Sequence, residues 1–255
     1  MTNQLSWFLV NFIPLVLYAL LEALHIFPGN FYAIVGLILF VILIFSGLIA
    51  KNIALVSNWW NFSLLPLTTY IASIAFSVLL TDLAYVRILY LLTTFFVVLY
   101  FRTVFYFFRK PIKYKFASIE NSASYLNFFN FFLLSSSLYG FRSFLSLKDW
   151  QFLPIVLIYT VLVFYQLLWA MKLKFSESYK YIILATLVML EISLAISFLP
   201  FEYYVSGLLL SLCYYVISGL FKLHIAKVLN KDRVMYYALF VIIIYAVIFL
   251  TVRWL

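Results

Sequence analysis

Nine long runs of apolar residues, separated by short stretches of charged and turn-forming residues, set the pattern of this 255-residue chain. Each run continues for roughly 20 residues without the alternation of apolar and polar positions that marks a barrel strand. A helix of that length crosses a hydrocarbon core of about 30 Å. The pattern therefore predicts nine membrane-spanning helices, at residues 5–26, 31–50, 61–80, 85–107, 122–145, 152–171, 181–199, 203–225 and 234–252.

Composition agrees with lipid as the solvent for most side chains. Hydrophobic residues make up 67% of the chain and charged residues 10%, whereas soluble domains have about 45–50% and 25%. We therefore expect an all-α polytopic transmembrane bundle, formed as a single integral membrane domain over residues 1–255 with no soluble domain. The third and last spans are the most weakly predicted, and the loss of either would give eight spans.

The distribution of basic residues predicts the orientation. Of the 17 Lys and Arg residues, 13 lie on the side of the N-terminus and four on the other side. Because cytoplasmic loops carry the excess of Lys and Arg, the N-terminus is predicted to be cytoplasmic. The same distribution, in short loops, argues against nucleic-acid binding despite a net charge of +9. One juxtamembrane patch is expected to contact anionic lipid headgroups: Arg109, Lys110, Lys113 and Lys115.

Glu191 is the most unusual residue of the predicted spans, because it lies near the middle of the seventh. An ionised side chain at mid-membrane costs about 2.5–3.5 kcal/mol on insertion scales. The carboxyl group must therefore be protonated, paired or hydrated. One interpretation is a proton or cation site, and the other is a neutral acid that hydrogen-bonds to a neighbouring helix.

A polar stripe follows the fifth span. Its members are spaced by four, three, three and seven residues, which places them on one helix face. Gln166 of the sixth span is expected at a similar depth. The stripe could line a hydrated cleft that leads from the cytoplasm to Glu191, or it could be an interhelical packing face. Its residues are Glu120, Ser124, Asn127, Asn130 and Ser137.

A second polar group is predicted at the outer surface. Glu22 and His25 are three residues apart on the first span, as in some metal-binding bundles. That type of site requires a second such pair, and the chain has only two histidines, so we predict no metal site. We expect instead an outer polar rim, formed by Glu22, His25, Asp82, Arg87 and Glu202.

Small residues share one face of the eighth span, at Gly207, Ser211 and Ser218. Small side chains at such spacing let membrane helices approach closely. They predict a packing surface in this span.

Recognisable catalytic motifs are missing from the sequence. It contains no Gly-rich phosphate loop, no H-E-x-x-H zinc helix and no G-x-S-x-G nucleophile turn. The single cysteine, Cys213, lies in an apolar span, which argues against a reactive thiol. The sequence leaves an enzymatic activity open but favours none, and it predicts no cofactor.

Several stretches resemble uncharacterised multi-pass membrane proteins of candidate-phylum (Patescibacteria-type) bacteria. They are Ser118-Ile-Glu-Asn121 with Tyr125-Leu-Asn127, Glu191 followed by Ser197-Phe-Leu-Pro200, and the Arg253-Trp254 end. The resemblance implies a multi-pass protein of the bacterial plasma (inner) membrane and supplies no activity or catalytic residue.

Two functions remain open on these grounds. The first is a small transporter or channel-like protein, with a path from Glu120 past Asn127, Asn130 and Gln166 to Glu191. The second is a non-catalytic membrane subunit or scaffold whose polar helix face binds a partner helix. Its partner would be another membrane protein or a second copy of the chain.

Overall fold

The computed structural model describes residues 3–50, 60–109, 118–171, 173 and 175–251. Within these ranges the chain forms α-helices, joined by short turns, and no strand. The all-α prediction is therefore confirmed for the described part of the chain. The helices are α1 Asn3–Ile26, α2 Phe31–Ala50, α3 Asn61–Ser77, α4 Leu83–Arg109, α5 Ser118–Leu145, α6 Asp149–Ala170, α7 Phe175–Ser197, α8 Tyr203–Ile225 and α9 Lys231–Thr251.

Six of these helices are long and apolar enough to cross a membrane, namely α2, α4, α6, α7, α8 and α9. The described apolar part of α1, Val10–Ile26, is shorter, and α3 has 17 residues. Helix α5 carries the polar stripe, which lowers its hydropathy. The structure thus supports a protein with several apolar helices of membrane-crossing length, while nine spans and a cytoplasmic N-terminus stay predictions.

The chain divides into two compact units, Met1–Asn130 and Phe131–Leu255, so that α5 is shared between them. In the first unit α1 packs against α2 and α4, and α3 packs against the same two helices. Phe45 and Phe101 meet edge to face in its core, with ring centroids 4.9 Å apart. Thr93 donates a hydrogen bond to Ser73 at 2.9 Å, which joins α4 to α3.

In the second unit α7 packs against α6 and α8, and α9 packs against α8. An aromatic cluster fills its core, where the rings of Phe131 and Tyr214 stack at 4.7 Å and Phe164 meets Tyr214 edge to face. Helix α9 differs from the others, because Ile248 is its single buried residue. The exposed apolar surface of α9 is what a helix in contact with lipid requires.

Candidate functional site

Glu191 lies on α7, six residues before Ser197, where the helix ends. At 1.5 Å of rise per residue, its Cα is about 9 Å along the axis from that end. The side chain is exposed on the surface of the second unit, whereas Gln166 is buried. Glu191 is therefore available to a molecule outside the chain.

A groove between α6 and α7 has Glu191 in its lining. Its volume is about 510 Å³. Helix α6 supplies four apolar side chains and α7 supplies three, at helical spacings that keep them on one face. Glu191 is the single polar residue of the lining, which otherwise comprises Leu153, Pro154, Leu157, Ile158, Leu187, Leu190 and Leu194.

The groove presents an apolar surface with one polar group. Rows of leucine on two adjacent helices form ridges between which the side chains of a third helix can pack. One carboxyl group in an apolar groove gives specificity, because it selects an occupant that offers a hydrogen-bond donor or a cation. Among the described residues, no group of three His, Cys, Asp or Glu side chains could hold a metal ion.

Three residues of the polar stripe of α5 form hydrogen bonds within the chain: Ser124, Asn130 and Ser137. Asn130 Nδ2 donates to Thr68 Oγ1 of α3 at 2.8 Å, within the first unit. Ser124 and Ser137 donate to the carbonyl oxygens of Glu120 and Leu133, one turn earlier on their own helix.

Four residues of the predicted path or packing face are buried: Asn127, Asn130, Ser137 and Gln166. Glu120 and Ser124 are half-buried. Glu120 to Asn130 belong to the first unit, and Ser137, Gln166 and Glu191 belong to the second. A continuous path between them stays a prediction.

Three residues of the predicted outer rim come together in the first unit. Arg87 Nε lies 3.4 Å from Glu22 Oε2, and Tyr18 Oη donates to Glu22 Oε1 at 2.8 Å. His25 Nε2 lies 3.2 Å from Tyr90 Oη. Tyr90 in turn donates to Ser77 at 3.1 Å. Helices α1, α3 and α4 thus meet in one hydrogen-bonded cluster.

The other two rim residues act at helix starts. Asp82 Oδ1 accepts a hydrogen bond from the backbone N–H of Ala84, at the beginning of α4. Glu202 immediately precedes α8, in the second unit. Sequence reasoning missed Tyr18 and Tyr90, although the four-residue spacing of Tyr18 and Glu22 on one helix was a usable signal.

The predicted lipid-binding patch cannot be placed. Lys110, Lys113 and Lys115 lie outside the described residues, as does the side chain of Arg109, the last residue of α4.

Comparison with known proteins identifies a family. No curated protein and no solved structure matches the chain. A family model described as "Protein of unknown function (DUF5656)" matches residues 48–251, which include α3 to α9 and therefore Glu191 and its groove. The match covers most of the chain, and it agrees with the resemblance to an uncharacterised family, while the bacterial phylum stays a prediction. The chain belongs to the DUF5656 family.

Proposed function

We propose that this protein is a non-catalytic subunit of a bacterial plasma-membrane assembly, in which the groove around Glu191 binds a transmembrane helix of another protein. The observation that carries the proposal is the exposure of Glu191 in an otherwise apolar groove between two helices of membrane-crossing length.

The energetic argument starts from the position of the carboxyl group. A charged side chain that faces lipid costs about 2.5–3.5 kcal/mol on insertion scales. A carboxylate also requires hydrogen-bond donors, and lipid tails have none. A partner that supplies a donor at this depth would remove both costs.

The chemistry of the carboxyl group favours a cationic partner. A lysine or arginine in the facing helix would neutralise Glu191, and both ions would be shielded from lipid in the same contact. A second copy of this chain would bring Glu191 against Glu191, and both groups would have to be protonated. We therefore assign the groove to a different membrane protein with a basic residue in its span.

The shape of the groove fits a helix. Leu187, Leu190 and Leu194 follow each other at three and four residues along α7, and Leu153 and Leu157 are four apart on α6. Such spacing is what an apolar helix needs for its own side chains to pack between ridges.

Transport along a polar path is the competing function. It requires water around Glu191 and continuous access from the buried amides of Asn127, Asn130 and Gln166. The exposure of Glu191 favours the subunit, because an exposed carboxyl group in an apolar groove is placed for a partner and not for an internal path.

A designed helix tests the proposal directly. The probe is a leucine–alanine transmembrane peptide of roughly 20 residues with a single lysine six residues from one end, and the reference peptide has leucine there. Energy transfer between labelled protein and labelled peptide in vesicles measures both affinities. The wild-type protein should bind the lysine peptide about tenfold more tightly, which is about 1.4 kcal/mol.

Two matched variants complete the design. Glu191→Gln should bind the two peptides equally, whereas Glu177→Gln, which removes the same charge from the other end of α7, should keep the tenfold preference. Equal binding of both peptides by the wild type would refute the proposal. Self-association of the chain that Glu191→Gln abolishes, without peptide binding, would instead assign the groove to a second copy.

A further inference from the structure

A second pocket lies in the second unit, where α7 begins and α8 ends. Its volume is about 740 Å³. Both helices are long enough to cross a membrane, and they are consecutive and packed together. The start of one and the end of the other therefore lie at the same membrane surface. The pocket is lined by Leu173, Glu177, Lys180, Tyr181, Leu184, His224, Ile225 and Lys227.

The lining combines basic and apolar groups. Lys180 and Lys227 are exposed cations, His224 is a third nitrogen donor or acceptor, and Glu177 is the single acid. Leu173, Leu184 and Ile225 supply apolar walls. A molecule with an anionic head and an apolar tail matches both parts of this lining.

Lys227 occupies a backbone position that glycine normally fills. Its φ is 56°, in the left-handed region. The N–H of Lys227 bonds to the carbonyl oxygen of His224, and the N–H of Val228 bonds to that of Leu223 at 3.0 Å. This pair of bonds is the Schellman motif, in which glycine is the usual residue. A lysine at a strained backbone position beside a pocket, where glycine is usual, indicates a role for its ammonium group.

An aromatic contact fixes the histidine at the pocket. The ring of Tyr181 lies 6.0 Å from that of His224 and 5.3 Å from that of Phe221, which joins the start of α7 to the end of α8. His224 thus contributes to the pocket from α8 while its ring packs against α7. The two lysines and the imidazole come from both helices, so the basic groups surround the pocket rather than following one helix face.

We infer that this pocket binds the phosphate group of an anionic phospholipid. Lys180, Lys227 and His224 provide the nitrogen donors for the phosphate oxygens, and ammonium groups are regular phosphate ligands. Glu177 is the one acidic residue of the lining and opposes the anionic phosphate. The apolar walls contact the beginning of the acyl chains, which is the reason for choosing a lipid over free phosphate. The site is separate from the Glu191 groove and does not depend on the proposed function.

Lipid binding to the purified full-length chain tests this inference. Native mass spectrometry in detergent measures the binding of phosphatidylglycerol, phosphatidylcholine and inorganic phosphate. Phosphatidylglycerol should bind at least tenfold more tightly than phosphatidylcholine. The double variant Lys180→Gln/Lys227→Gln should lose that preference, whereas Lys231→Gln/Arg233→Gln, which removes two exposed basic residues outside the pocket, should keep it.

A third variant covers the case in which the double lysine variant fails to fold. Glu177→Gln removes the one negative charge of the pocket and should strengthen phosphatidylglycerol binding severalfold. Phosphatidylglycerol binding that is unchanged in Glu177→Gln would contradict the proposed site. An equal loss of the preference for phosphatidylglycerol in both double variants would also contradict it. Displacement of phosphatidylglycerol by an equal concentration of inorganic phosphate would show that the pocket binds free phosphate and not a lipid.

Discussion

Ser136 of α5 and Gly207 of α8 lie so close that a single methyl group does not fit between them. A Cβ atom built on Gly207 would lie 2.5 Å from the backbone N of Ser136 and 2.6 Å from its Cα. The contact also carries a hydrogen bond, because Ser135 Oγ donates to the carbonyl oxygen of Gly207 at 3.1 Å. Gly207 of α8 thus packs directly against α5.

Replacing Gly207 with alanine should therefore destabilise the protein. Besides the Ser136 hydroxyl oxygen, two of the neighbouring atoms belong to the backbone of Ser136 and cannot rotate away, so we expect a loss of about 1–3 kcal/mol, as for overpacked cores. Thermal unfolding in detergent would measure it. The matched control is Gly36→Ala in α2, where a Cβ would meet nothing within 4 Å. Equal melting temperatures for the two variants would contradict the close contact.

The hydrogen bond between Asn130 and Thr68 should contribute measurably to the first unit. The hydroxyl of Thr68 donates to backbone carbonyl oxygens on its own helix, so it is free to accept from Asn130. A double-mutant cycle with Asn130→Leu and Thr68→Val should give a coupling of about 0.6 kcal/mol, and at most about 1.7 kcal/mol. Unfolding of the solubilised protein provides the four stabilities.

A control cycle separates this coupling from general effects of substitution. Asn130→Leu combined with Tyr85→Phe, an exposed residue at the start of α4 in the same unit, should be additive within about 0.5 kcal/mol. A zero coupling between Asn130 and Thr68 would show that the amide has another role, and the hydrated-path hypothesis would gain from that result.

Tyr90 should stabilise the hydrogen-bonded cluster where α1, α3 and α4 meet. Its side chain is 1% exposed, and its hydroxyl contacts both Ser77 and His25. Tyr90→Phe leaves the two partners without that hydroxyl, and we expect a loss of about 0.5–1.5 kcal/mol. Tyr85→Phe on the same helix is the control, because Tyr85 is 62% exposed. Its melting temperature should match that of the wild type, and a matching value for Tyr90→Phe would show that the cluster adds no stability.

Hydropathy was sufficient to predict the helices. The boundaries of α2 and α8 agree with the predicted spans, and those of α7 differ because Phe175–Lys180 extends the helix beyond its apolar part. Charged residues lower hydropathy but are compatible with a helix outside the hydrocarbon core. The sequence pattern therefore located the apolar segment of each helix more closely than the helix ends.

The direction of individual side chains was harder to predict. In a water-soluble helix the polar face marks the outside, but in a membrane both the core and the lipid are apolar. Nothing in the sequence around Glu191 distinguishes its exposed face from a buried one. The pocket between the start of α7 and the end of α8 was not predicted from the sequence for a different reason. Glu177 and Lys180 are more than 40 residues from His224 and Lys227 along the chain. What brings them together is the pairing of α7 with α8.

The orientation and the crossing of α3 can be decided together by cysteine labelling. In a Cys213→Ser background, single cysteines at Gly29, Thr81 and Leu229 lie in exposed connections between helices. With nine spans and a cytoplasmic N-terminus, the first two positions face outward and the third faces the cytoplasm. A membrane-impermeant maleimide should then label Gly29→Cys and Thr81→Cys in intact cells, and Leu229→Cys only after permeabilisation.

Two alternative topologies give different labelling patterns. If α3 does not cross the membrane, Thr81→Cys becomes inaccessible from outside and Leu229→Cys becomes accessible, while Gly29→Cys stays unchanged. If the N-terminus is outside, all three positions reverse. The positive-inside rule predicts neither outcome, because both would move the basic loop that contains Lys231 to the outer surface. The Cys213→Ser chain without an added cysteine is the control, and it should remain unlabelled before and after permeabilisation.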